Sequence, residues 1–80
     1  MITASQIRAA RALVGLSQRD LASLARLGLA TVKRIEASTE LRGAADTYWK
    51  IQTALEEAGV EFIPADDTKG PGVRLKQRQR

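Results

Sequence analysis

The sequence predicts a mainly helical domain of about four helices, closed by a C-terminal β-hairpin. Helix-start signatures follow closely on one another at Thr3, Ser17 and Gly28, each ahead of apolar residues at helical spacing. A fourth apolar stripe, Tyr48, Ile51, Leu55 and Ala58, repeats that spacing. Beyond Gly59 the pattern changes to two short strand-like runs separated by Gly70-Pro71-Gly72.

Each element has a local reason. Thr3 with Gln6 three residues on is a capping box, and Ile2 and Ile7 flank it as a hydrophobic staple. The first helix runs from about Ala4 to Val14, burying Ile7, Ala10, Leu13 and Val14 with Arg8 and Arg11 outside, and Gly15 closes it as a left-handed cap. Ser17 opens the second helix with Asp20 as its acidic partner and Leu16 stapled to Leu21. That helix extends to about Ala25 and buries Leu21, Leu24 and Ala25. Gly28 starts the third, about Leu29 to Ala37, with Leu27 placed to staple onto Val32. It buries Val32 and Ile35 and leaves Leu29, Ala30, Lys33 and Arg34 on outward or flanking faces.

The stretch STELRGA reads as a loop before a fourth helix from about Ala44 to Ala58, ended by Gly59 as a left-handed cap. Trp49 lies off its buried stripe, either at the edge of the core or against a partner chain, because exposed tryptophan favours interfaces. Val60 to Ile63 and Val73 to Lys76 form the hairpin, with a loop longer than usual. A lone hairpin is marginal in water, so it must pack on the helices or pair with a second chain. Val60, Phe62, Val73 and Leu75, with Trp49, are accordingly the dimerisation candidates.

Composition excludes several functions. With no cysteine and no histidine, disulfides, thiolate metal sites and most general-base chemistry are absent, and no carboxylate pair or activated nucleophile converges; an enzyme, a metal and a cofactor are not expected. No apolar run approaches the roughly 20 residues that span a bilayer, and the N-terminus lacks a signal-peptide layout. A cytoplasmic protein without a membrane partner is expected. A chain of 80 residues has a small core, which favours a homodimer. Charge is uneven: residues 1–43 hold seven Lys or Arg against three acids, residues 44–67 one against six, and the last thirteen five against none. The basic front and tail fit a polyanion. Arg74, Lys76, Arg78 and Arg80, if extended, share one face and suit a phosphate-tracking arm.

Helices two and three are separated by so short a turn that they must cross steeply, presenting the N-terminal turn of the third with its backbone N–H groups, Lys33 and Arg34. At Ser17-Gln18, Leu21-Ala22, Ala25, Leu27, Thr31-Val32 and Arg34-Ile35-Glu36 the chain resembles the Cro/C1-type (XRE-like) helix-turn-helix regulators of phages and bacteria, over about Ile2 to Leu55. Two positions depart from the pattern: Arg26 stands where the family commonly has Gly in the turn, and Gly28 where it has Ser or Thr as the cap. A non-glycine residue at positive φ costs about 1 kcal/mol, which a phosphate contact by Arg26 would offset; simple solvent exposure of Arg26 is the other reading.

The resemblance implies a lambda-repressor-like bundle with residues 1–59 as the DNA-binding domain; beyond it the residues themselves read as a candidate dimerisation hairpin, 60–76, and a basic tail, 77–80. It implies base reading by Gln18, Leu29, Ala30 and Arg34, in which Leu29 and Ala30 meet thymine methyl groups and Arg34 suits guanine O6 and N7. Phosphate contacts fall to Ser17, Arg19, Gly28, Thr31, Lys33 and Arg42. Simple solvation remains the other reading of Gln18 and Arg42, and packing onto the core that of Leu29. The expectation is a homodimeric transcriptional regulator of double-stranded DNA, bound to a partly palindromic operator in the nucleoid. The alternative is an antitoxin-like module whose hairpin or Trp49 face neutralises a second protein partner.

Overall fold

Reciprocal side-chain caps fix where the first two helices begin. The computed structural model describes residues 2–38 and 45–77, so Arg42, Arg78, Arg80 and the expected helix start at Ala44 lie outside the described residues. Helix α1 spans Ala4–Val14, α2 Gln18–Ala25, α3 Leu29–Ala37 and α4 Ala45–Glu57; strands β1 (Val60–Ile63) and β2 (Gly72–Leu75) follow. At α1 the Thr3 Oγ1 accepts the Gln6 amide at 3.1 Å while the Gln6 Oε1 accepts the Thr3 amide at 2.8 Å. At α2 Ser17 and Asp20 exchange the same two bonds at 2.9 and 3.0 Å. The backbone bond from Ser17 holds the Asp20 carboxyl below its usual range.

Helices α1 and α2 end in the same way with different residues. Gly15 at φ 70° lets the Leu16 amide reach back to the Arg11 carbonyl at 3.0 Å, and Arg26 at φ 59° lets the Leu27 amide reach the Ala22 carbonyl at 2.9 Å. Leu16 and Leu27, the residues thereby turned back, both pack against the core.

Ile7, Leu21, Val32, Ile51, Leu55 and Val60 are fully buried, one or more from every helix and one from β1. Each contributes about 1.5–3 kcal/mol by leaving water. Three expected core residues are outside it: Leu13 is 38% and Leu24 56% exposed, and Ala58 is exposed. Ala22 and Ala54 fill the inner face instead. No helix among the described residues is long and apolar enough to cross a membrane.

The hairpin belongs to this core. Its antiparallel register pairs Val60 with Leu75, Glu61 with Arg74, Phe62 with Val73 and Ile63 with Gly72, so β2 starts and ends one residue earlier than the sequence predicts. Phe62 and Val73 pack inward beside Val60. Val60, expected at a dimer interface, is wholly enclosed by its own chain and cannot serve there. On the outer face the Arg74 Nε and Nη2 donate to Glu61 at 3.0 and 3.1 Å, which holds the Glu61 carboxyl below its usual range. The Lys76 Nζ donates to the Glu56 carbonyl at 2.7 Å. Arg74 and Lys76 are thus engaged within the chain rather than held out as an arm. Loop 64–71 orders itself around Asp66, whose Oδ1 accepts the amides of Thr68 and Lys69, both at 2.8 Å.

Gln6 ties hairpin to helix. Buried at 6% exposure, its Nε2 donates to the carbonyls of Gly72 at 2.9 Å and Ile63 at 3.3 Å, bridging the register pair at the hairpin mouth. Gln6→Glu keeps the capping oxygen but sets a carboxylate against those two carbonyls. It is expected to destabilise the chain by about 1–3 kcal/mol and to speed hydrogen exchange in β1 and β2 before α1. Equal loss of protection in both elements would show that Gln6 acts only through the cap.

Candidate nucleic-acid interface

Helices α2 and α3 are joined by Arg26, Leu27 and Gly28 alone. Along α3, Val32, Ile35 and Glu36 face inward, so Ala30, Lys33, Arg34 and Ala37 form the exposed stripe at the spacing of one helix face. Leu29 and Thr31 flank it half-buried, which places Leu29 at the rim rather than in the core. Gly28 offers no side-chain cap, and the amides of Leu29 and Ala30 have no intrahelical acceptor. Ser17 and Arg19 are exposed at the start of α2. The Ser17 hydroxyl accepts its capping bond and keeps its own proton to donate.

What holds α3 in place is a buried carboxylate. Glu36, 3% exposed, accepts the Arg11 Nε at 2.7 Å and Nη2 at 2.8 Å, a two-pronged pair between α3 and α1. The Gln18 Nε2 joins the Glu36 Oε1 at 3.2 Å, bringing in α2, and Arg8 donates to the Glu36 main-chain carbonyl. Arg11 also reaches the Leu16 carbonyl at 3.1 Å. Its bond to Glu36 holds the guanidinium still more firmly in the charged form.

One expectation changes accordingly. Arg11 is not an outward cation but a half-buried partner of Glu36. Gln18 is half-buried with one of its two amide N–H groups on Glu36, which leaves its second N–H and its Oε1 for a base or backbone contact. In this conformation Gln18 positions α2 against α3. The inward placement of Glu36 was readable from its spacing, since Val32, Ile35 and Glu36 follow the i, i+3, i+4 rule.

The cations divide by location. Among the described residues Arg19, Arg26, Lys33 and Arg34 have side chains with no hydrogen bond or ion pair, and all four lie on α2, the turn or α3. Elsewhere Arg8, Arg11, Lys50, Arg74 and Lys76 are each engaged, with Lys69 in the hairpin loop the exception. No protein-family model matches the chain, and no curated protein matches it. Function is therefore read from the geometry of this chain alone.

Arg26 carries a cost that a structural role does not repay, since its side chain has no hydrogen bond or ion pair among the described residues while its backbone sits at φ 59°, ψ 46°. Arg26→Gly is expected to raise stability by about 0.5–1 kcal/mol, the relieved left-handed strain less the added chain entropy. Arg26→Ala, which keeps the strain, should leave the thermal midpoint unchanged. If both variants melt with the parent, the turn is unstrained at this position.

Proposed function

We propose that this chain is a sequence-specific DNA-binding transcriptional regulator of the Cro/C1 type, acting as a homodimer. The observation that carries the reading is that, among the described residues, unpaired cations concentrate on α2, the turn and α3, while those elsewhere, Lys69 apart, are engaged within the chain. Unpaired surface guanidinium and ammonium groups on one face are what a phosphate backbone neutralises.

In this reading α3 enters the major groove. Arg34 reads guanine, Ala30 meets a thymine methyl, and Leu29 reaches the same edge from the rim. Arg19, Lys33 and Arg26, with the Ser17 and Thr31 hydroxyls and the free amides after Gly28, hold phosphates and set the register. Two copies set their α3 helices one turn of DNA apart, about 34 Å, and so read a partly palindromic site.

Binding to the DNA immediately upstream of the chain's own coding region, measured against a scrambled duplex over a salt series, tests this. Preference for the upstream DNA by about a thousandfold is the expected result. Arg34→Ala should then cost about 1–3 kcal/mol and relax the preference at one base position. Equal loss on specific and scrambled DNA would remove Arg34 from the reading set, and weak, equal binding of both duplexes by the parent would count against a regulator of its own promoter.

A further inference from the structure

We infer that the α2–α4 face bearing Leu24 and Trp49 is where a second copy of this chain docks, with the two α4 helices antiparallel across a two-fold axis between Thr53 and Ala54. The inference rests on the homodimer of the proposed function and names its surface. Leu24 and Trp49 are 56% and 62% exposed, the largest apolar side chains left open beside a shared groove with Ala54 and Glu57. Single exposed apolar residues are ordinary; two beside one groove form a patch of the kind that marks an interaction site.

Self-complementarity identifies that cover. Lys50 and Glu57 are seven residues apart, so they lie on one side of α4 and about 10 Å apart along its axis. Rotation about an axis midway between them places each cation over the other copy's anion. Glu57 has no partner among the described residues, and Lys50 has only an exposed pair with Asp46 at 3.4 Å, which is weak enough to exchange. The apolar groups follow the same symmetry. Leu24 sits beside Ala54, Glu57 and Ala58, on one flank of the Lys50–Glu57 line toward the end of α4. Trp49 sits on the opposite flank toward its start. The two-fold exchanges these positions and brings each Trp49 onto the other copy's Leu24, while the small Thr53 and Ala54 let the helices approach at the axis.

The face is about 20 Å long and two helices wide, on the order of 400 Å² per copy, below the ~800 Å² of a standard interface. Self-association is therefore weak in free solution and strengthened when adjacent half-sites hold two copies together.

Trp49, the only tryptophan, reports on this face directly. Sedimentation and tryptophan emission are followed together on the DNA-free chain from about 1 µM to 1 mM, the range of a weak contact. The expected result is dimer formation with a parallel blue shift, both lost in Leu24→Glu. Lys50→Glu and Glu57→Lys should each weaken the dimer about tenfold, and the double exchange should restore it to within about threefold of the parent. All of these side chains are exposed, and circular dichroism checks that the variants fold. A monomer throughout, a dimer whose emission does not move and which survives Leu24→Glu, or a double exchange that fails to restore association overturns the interface. Because no DNA is present, a chain that dimerises this way yet ignores DNA overturns the proposed function alone, and one that binds DNA without this dimer overturns the interface alone.

Discussion

Glu36→Ala is expected to cost about 3 kcal/mol and Arg11→Ala about 5 kcal/mol, the range for breaking a buried ion pair from one side. The order follows from burial. The Arg11 side chain is 20% exposed and can be partly rehydrated when its partner is removed, whereas the Glu36 side chain is 2% exposed and would keep only the Gln18 amide. For 80 residues the whole folding free energy is about 4–12 kcal/mol, so either change removes a large share of the chain's stability. Each kilocalorie moves the thermal midpoint by about 4–8 °C in a domain of this size. Arg11→Met with Glu36→Leu together should recover most of the loss, because apolar residues of similar volume do not carry the desolvation cost. Urea unfolding of the three variants decides the matter. Single variants within about 1 kcal/mol of the parent would mean that packing of Val32 and Ile35, and not the pair, fixes α3.

The features legible in the sequence are those whose causes lie within a few residues. Thr3 with Gln6, Ser17 with Asp20, and the left-handed Gly15 act across three or four positions, and each helix begins or ends where they require. The strand runs were equally visible because Pro64 and the Gly70-Pro71-Gly72 turn bound them. The chain's long-range ties were hidden. Arg11 meets Glu36 across 25 residues, and Gln6 meets Ile63 and Gly72 across 57 and 66, distances at which spacing carries no signal. Gln6 reads as a cap, which it is through its Oε1, while the Nε2 of the same amide ties the hairpin. Leu24 shows the converse limit. In an eight-residue helix the residue three after Leu21 falls at the margin of the apolar stripe, and only the neighbouring helix decides whether it is covered. Strand composition makes Val60 a dimerisation candidate because it does not show what the hairpin packs on; its full burial makes β1 part of the helical core.

Replacing Arg19, Arg26, Lys33 and Arg34 together by Gln is expected to abolish operator binding at physiological salt without unfolding the chain. Each phosphate neutralised contributes about 0.9 to the slope of log affinity against log salt, so losing the three phosphate contacts of Arg19, Arg26 and Lys33 lowers it by about 2.7 per copy, while the loss of Arg34 removes the guanine contact. All four side chains are exposed and unpaired, so the stability of the variant should stay within about 0.5 kcal/mol of the parent per site. The decisive control removes the same number of charges elsewhere, at Arg8, Lys69, Arg74 and Lys76. Net charge falls equally in both variants, and a binding surface made of overall charge would respond equally. If placement matters, the control keeps its salt slope and its preference for the operator, because three of its four cations are already committed to Ser5, Glu61 and the Glu56 carbonyl. A control that loses as much slope as the first variant would assign binding to the general positive field and remove the α2–turn–α3 face as the interface.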